Sequence, residues 1–147
     1  MVSIDQIKKL REATGVSIAE CQKALAEAKG DTEKAKEVLK KWGKEVAKKK
    51  AEREAHQGII DSYIHPNKKI GVILELNCET DFVAKSPDFQ ALAHELCLQI
   101  AAMSDEIPLL EQPWIKDESK KVRDLVAEYI AKLGENIIVK RFTRYTL

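Results

Sequence analysis

With 147 residues, 33% of them charged and 44% apolar, the chain has the composition of one or two ordinary folded domains, which excludes a disordered or fibrous protein. No apolar run approaches the roughly 18 residues of a membrane span, and the first ten residues carry neither a signal-peptide core nor an Arg-rich transit pattern. The expectation is therefore a cytoplasmic protein with no membrane partner. The near-zero net charge of +1 hides a gradient: residues 1–55 carry 14 Lys and Arg against 10 acids, whereas residues 71–113 carry Lys85 alone against eight. A nucleic acid would want a continuous basic surface, which this distribution does not supply.

The first 43 residues read as three helices. Ser3 with Gln6 three positions on is a capping-box pattern, Ile4, Ile7 and Leu10 form the stripe, and Gly15 marks the end. Ser17 with Glu20 repeats the box, followed by Cys21, Ala24, Leu25 and Ala28, with Gly30 as the stop. A third helix opens at Asp31 and carries Ala35, Val38, Leu39 and Trp42. This unit is expected to be a docking module. Residues 44–57 are lysine- and glutamate-rich good helix formers without a broad apolar stripe, read as an exposed helical connector.

An α+β core domain is expected over residues 58–147: three antiparallel strands with helices packed on one side. Residues 59–65 and 69–77 flank Pro66, Asn67 and Lys68, a turn cluster, and make a hairpin. In the second strand Val72, Leu74 and Leu76 share one face, and Ile73, Glu75 and Asn77 the other. Ser86-Pro87-Asp88 opens a helix whose stripe is Phe89, Leu92, Ala93, Leu96, Ile100 and Met103. Residues 104–116 contain Pro108 and Pro113 and read as a loop whose Leu109, Leu110 and Trp114 pack back onto the domain. A last helix is expected over residues 117–133, ended by Gly134. The third strand, residues 137–145, places Phe142 with Lys140 and Arg144, opposite Ile137, Val139 and Tyr145.

Where the second strand runs out stands Thr80-Asp81-Phe82-Val83, a charge beside a large aromatic in a short strand-to-helix loop. Two readings fit the pattern equally: Phe82 folds back onto the core while Asp81 caps a turn, or the pair projects as a probe.

Chemistry is otherwise sparse. There is no Gly-rich phosphate loop and no HExxH or GxSxG, and His56, His65 and His94 stand apart from any partner at ligand spacing. Cys21, Cys78 and Cys97 have no CxxC spacing and read as reduced thiols. Glu79 and Asp81 lack the further oxygen ligands of a calcium loop. The expectation is a protein with no catalytic step, no metal and no cofactor.

Several separated segments resemble one family. Residues 8–15, Cys21 with Lys23-Ala24-Leu25, Gly30-Asp31, the run Gly71-Val72-Ile73-Leu74-Glu75-Leu76-Asn77-Cys78-Glu79-Thr80-Asp81-Phe82-Val83-Ala84, and Leu133-Gly134-Glu135-Asn136-Ile137 are similar to bacterial elongation factor Ts. The resemblance implies a guanine nucleotide exchange factor that binds the translational GTPase elongation factor Tu. It casts Asp81 and Phe82, within Thr80–Val83, as a wedge near the Mg²⁺ and phosphate site of that partner. It implies a further contact at Leu133 and Gly134, and docking of a ubiquitin-associated-like N-terminal domain through Ile18, Ala19, Cys21 and Lys23. This chain departs from the family in having Ser17, Ile18 and Ala19 where a Gly and a methionine pair are usual, and in its shortened loop after Met103. Short members of the family pair, so a homodimer through the core sheet is expected. The alternatives are a non-catalytic helical binding module, and an RNA-binding protein using residues 48–50, Lys140, Arg141 and Arg144.

Overall fold

The computed structural model describes residues 2–147. Its N-terminal helices are α1 (Ile4–Thr14), α2 (Ile18–Glu27) and α3 (Thr32–Lys50). Ser3 Oγ accepts from Gln6 N at 3.2 Å while Gln6 Oε1 accepts from Ser3 N at 3.0 Å, so the box at the head of α1 is reciprocal. Ser17 caps α2, and Asp31 accepts from Glu33 N and Lys34 N at the head of α3. The turn between α2 and α3 bends through two left-handed residues, Lys29 as well as Gly30. Leu10, Cys21, Ala24, Leu25, Ala35 and Leu39 close a small core among the three helices.

The third helix does not stop near Trp42. It continues unbroken to Lys50, and Gly43 is buried, 3.6 Å from Ala131 Cβ when a Cβ is built on it. The lysine-rich stretch therefore lies along a later helix, α6 (Val122–Leu133), where Lys44 pairs with Asp124 at 3.5 Å.

Strands β1 (Gln57–Ile64), β2 (Ile70–Cys78) and β5 (Ile138–Thr146) form an antiparallel sheet in the order β1-β2-β5. The inward face of β2 is Val72, Leu74, Leu76 and Cys78, as the alternation requires. Helix α5 (Pro87–Ala102), capped by Ser86, sets Phe89, Leu92, Ala93, Leu96 and Ile100 in the same core, and α6 adds Val122, Leu125 and Val126. The α+β reading holds.

Four local expectations are corrected. First, Asp81–Ala84 is a single turn of helix, α4, rather than a loop, because Thr80 caps it. Second, the last helix starts at Val122. Residues before it form a small hairpin, β3 (Pro113–Trp114) with β4 (Asp117–Lys121), where the structure departs from the expected loop and helix start. Two buried glutamines hold this segment: Gln99 Nε2 donates to Gln112 Oε1 and Pro113 O, and Gln112 Nε2 donates to Ile107 O. Third, Leu109 is buried as expected, but Leu110 is exposed.

Fourth, β5 carries a bulge. Glu75 faces Arg141, but the next residue, Leu76, faces Val139, so Lys140 is left out of the pairing. The extra residue flips the alternation, and Phe142 comes onto the core face with Val139 rather than opposite it. The other face of the sheet, with Ile60, Ile64, Ile73 and Tyr145, is exposed.

Candidate partner-docking site

Helix α4 is too short to be stable by itself, since nucleating a helix fixes several residues for few hydrogen bonds. Its surroundings hold it. Thr80 Oγ1 accepts from Val83 N at 3.3 Å, and Val83 and Ala84 are buried in the main core. With those two turned inward, Phe82 is turned out and is 86% exposed. Of the two readings open in the sequence, the projecting one is what the structure shows. Asp81 is exposed as well, and its Oδ2 lies 2.8 Å from Lys85 Nζ. Val83 belongs to the core and anchors the turn from beneath.

Glu79 and Asp81 do not converge. The Glu79 carboxylate accepts from Asn136 N at 2.6 Å and lies 3.6 Å from Arg53 Nη1, whereas Asp81 is engaged by Lys85. Cys78, immediately before the turn, is buried and donates through Sγ to Thr80 O at 3.2 Å. Burial, reinforced by the negative charge of Glu135, pushes its thiol up to about 11. It is therefore a protonated donor at neutral pH.

Leu133 is half-buried against the core, and Gly134 ends α6 in the left-handed conformation, φ 76°. The Gly134 carbonyl accepts from Lys50 Nζ at 2.8 Å. Next to it, Glu135 Oε1 accepts from Glu79 N and Thr80 N, and Oε2 from Thr80 Oγ1. The segments around Thr80 and Gly134, separated by more than 50 positions in the chain, thus share one hydrogen-bonded junction. From the sequence, a contact role falls to Leu133 and Gly134 alone among residues 133–136; Glu135 and Asn136 stand only within the segment that carries the resemblance, and Arg53 has no role. Nothing in the local pattern marks a carboxylate whose donors are 55 positions away.

In the N-terminal unit, Ile18 is 54% exposed at the head of α2, with Ala19 also exposed. Lys23 projects into solvent and lies 3.5 Å from Glu20. Cys21 is fully buried between the helices, so it shapes the stretch from within and presents nothing to a partner. Of the four α2 positions, Ile18, Ala19 and Lys23 are the ones open to solvent. The turn between α1 and α2 adjoins the end of α6, where a Cβ built on Gly15 would meet the Lys132 side chain.

Comparison with known proteins bears on this geometry. A family model described as Elongation factor TS matches residues 79–147, the part that begins at the base of the probe. Elongation factor Ts of Thermotoga neapolitana is 44% identical, with 98% of this chain and 96% of that protein covered. The Thermotoga maritima protein of the same name is also 44% identical, over 99% of this chain and 96% of its own length. Elongation factor Ts of Coprothermobacter proteolyticus is 42% identical over 99% and 98%. The first alignment runs to 189 positions, so that relative carries internal residues this shorter chain lacks.

Proposed function

The chain belongs to the elongation factor Ts family, whose members exchange nucleotide on elongation factor Tu in translation elongation, and we propose that it does so by inserting Asp81 and Phe82 near the Mg²⁺ and phosphate site of that partner. The single observation that carries the mechanism is Phe82, an aromatic left 86% exposed on a turn whose neighbours Val83 and Ala84 are buried. Aromatic side chains are enriched at protein interfaces, and an exposed ring on a buried base is placed to fill a partner's pocket.

Burying such a side chain is worth about 1.5 to 3 kcal/mol. Spent on docking, that free energy stabilises whichever partner conformation accepts the ring. If phosphate and metal contacts are poor in that conformation, nucleotide affinity falls by the same coupling. Linkage makes the effect reciprocal, so returning nucleotide expels the exchange factor. No covalent step is required of this chain.

Ile18, Ala19 and Lys23 supply a second contact from the N-terminal unit, and Leu133 with Gly134 a third beside the probe. The exposed face bearing Ile60, Ile64, Ile73 and Tyr145 supports a homodimer through the core sheet. Residues 1–43 act as the docking unit, and residues 58–147 carry the probe. The protein works in the cytoplasm, without a nucleic acid partner.

The test is release of fluorescent GDP from the cognate elongation factor Tu, with wild-type chain and with Phe82→Ala. The expected result is acceleration by wild type and a roughly ten- to hundredfold smaller effect for the variant, the equivalent of the lost burial. No acceleration by wild type would refute exchange activity. Equal acceleration by both would refute the wedge.

A further inference from the structure

The turn that carries Phe82 is held by a pair of carboxylates that exchange backbone donors. Glu135, on the loop between α6 and β5, takes Glu79 N at 3.1 Å, Thr80 N at 2.9 Å and Thr80 Oγ1 at 2.6 Å. Glu79 returns the contact by accepting from Asn136 N at 2.6 Å. Asn136 is in turn fixed to the turn that follows α3, donating through Nδ2 to Arg53 O at 2.8 Å. The clasp thus has its own footing and does not depend on the turn that it holds.

Its chemistry is directional. Thr80 Oγ1 gives its only proton to the Glu135 carboxylate, which leaves its lone pairs for Val83 N, the bond that starts α4. Hydrogen bonds to a charged acceptor are about twice as strong as neutral ones, and donation of this kind polarises the hydroxyl as an acceptor. The threonine rotamer that caps the turn is therefore set by a residue 55 positions away. Without Glu135, the amides of residues 79 and 80 lose their acceptor and the Thr80 hydroxyl is free to turn to water, while the Glu79–Asn136 bond, the turn's own backbone bonds, the Cys78 thiol bond and the burial of Val83 and Ala84 remain.

We propose that Glu135 is a positioning residue for exchange, acting on the partner only through the orientation that it gives the Asp81–Phe82 turn. The inference rests on the exchange reading above. It predicts a particular kinetic split. Docking through Ile18 and Lys23 is untouched by the substitution, so the concentration of factor giving half-maximal effect stays within about threefold of wild type. The maximal rate of GDP release at saturation falls roughly tenfold or more, as misplacing a reacting group by a fraction of its contact distance does.

The experiment uses the full chain as wild type, Glu135→Ala, Glu135→Gln, Phe82→Ala and the double variant Glu135→Ala/Phe82→Ala. Amide hydrogen exchange at Thr80 and Val83 is read by NMR, and release of fluorescent GDP is measured across factor concentrations. Glu135→Ala is expected to lose protection at both amides and to lower the maximal rate. Glu135→Gln, which keeps an oxygen for the two backbone donors, recovers most of both. Glu135→Ala is expected to add less than about twofold to the defect of Phe82→Ala, since residues acting as a unit are not additive.

Unchanged protection in Glu135→Ala would overturn the clasp, and so would a loss that multiplies in full with that of Phe82→Ala. If Glu135→Ala does not fold, Glu135→Ser, whose short polar side chain stops short of the three donors, carries the same readings. Loss of protection in the variant together with no acceleration by wild type would leave the clasp standing and refute exchange instead.

Discussion

Lys85 closes on Asp81 one helical turn back, Nζ to Oδ2 at 2.8 Å, so the acidic member of the probe already has a cation when no partner is bound. The bond to Asp81 raises the Lys85 pKa above its ordinary value, and both groups are open to solvent. Exposed pairs of this kind are weak and screened by salt, so a cation on the partner can displace Lys85. Lys85→Ala is accordingly expected to keep the maximal rate of GDP release within about threefold of wild type. A loss as large as that of Phe82→Ala would assign Lys85 a contact of its own.

Two phenylalanines seven positions apart are expected to behave oppositely. Phe82 touches little in the free protein, and Phe82→Ala should leave stability within about 0.5 kcal/mol of wild type. Phe89 is fully buried between α5 and the sheet, and Phe89→Ala should cost about 3 to 5 kcal/mol. Urea denaturation of the two variants checks both, and a large loss for Phe82→Ala would mean that the ring packs against its own protein.

This contrast also marks what the sequence discloses. Ser3 with Gln6, Asp31, and Ser86 before Pro87 carry their caps in local chemistry, and the alternation from Val72 to Leu76 states which face is inward. The bulge at Lys140 is set by pairing with β2, so a two-residue period read along β5 alone puts Phe142 on the wrong face. The β3–β4 hairpin hangs on Gln99, more than a dozen positions upstream, and no periodicity announces it. In the probe, Thr80 and Val83 were visible as neighbours of Phe82, whereas Glu135 became a part of the site only through tertiary contact.

The buried thiols make stability depend on alkaline pH in a stated direction. Burial, with Asp61 adding to it, pushes Cys97 from 9.0 up to about 12, and Cys78 moves to about 11. Between pH 9 and these values the unfolded chain has lost protons that the folded chain keeps. The contribution is therefore fully present below pH 9 and is lost as pH rises, through about 11 for Cys78 and about 12 for Cys97. The stability gap between wild type and Cys97→Ala should narrow above pH 9, as read by urea denaturation from pH 7 to 11. Iodoacetamide should label neither thiol of the native chain at neutral pH.

The sheet face offers a test of pairing. Ile73 is 56% exposed at the centre of that face, beside the cross-strand pair Glu75 and Arg141, Oε1 to Nε 2.8 Å. Ile73→Arg sets a second cation next to Arg141 and should convert a dimer into monomer in sedimentation velocity. A wild type that sediments as a monomer across the micromolar range would refute the pairing.

The unbroken run of α3 from Thr32 to Lys50 gives the molecule a fixed gauge. At about 1.5 Å per residue its 19 residues make a strut of about 28 Å, pressed along α6 rather than swinging free. The separation between the head of α2 and the probe is thus written into backbone geometry. A partner that receives both does so at one spacing, and the second contact forms at the high effective concentration that rigid tethering gives. By the same arithmetic, a change of shape in the partner that moves its two receiving surfaces apart cannot be followed by this chain, and loosening one grip loosens the other.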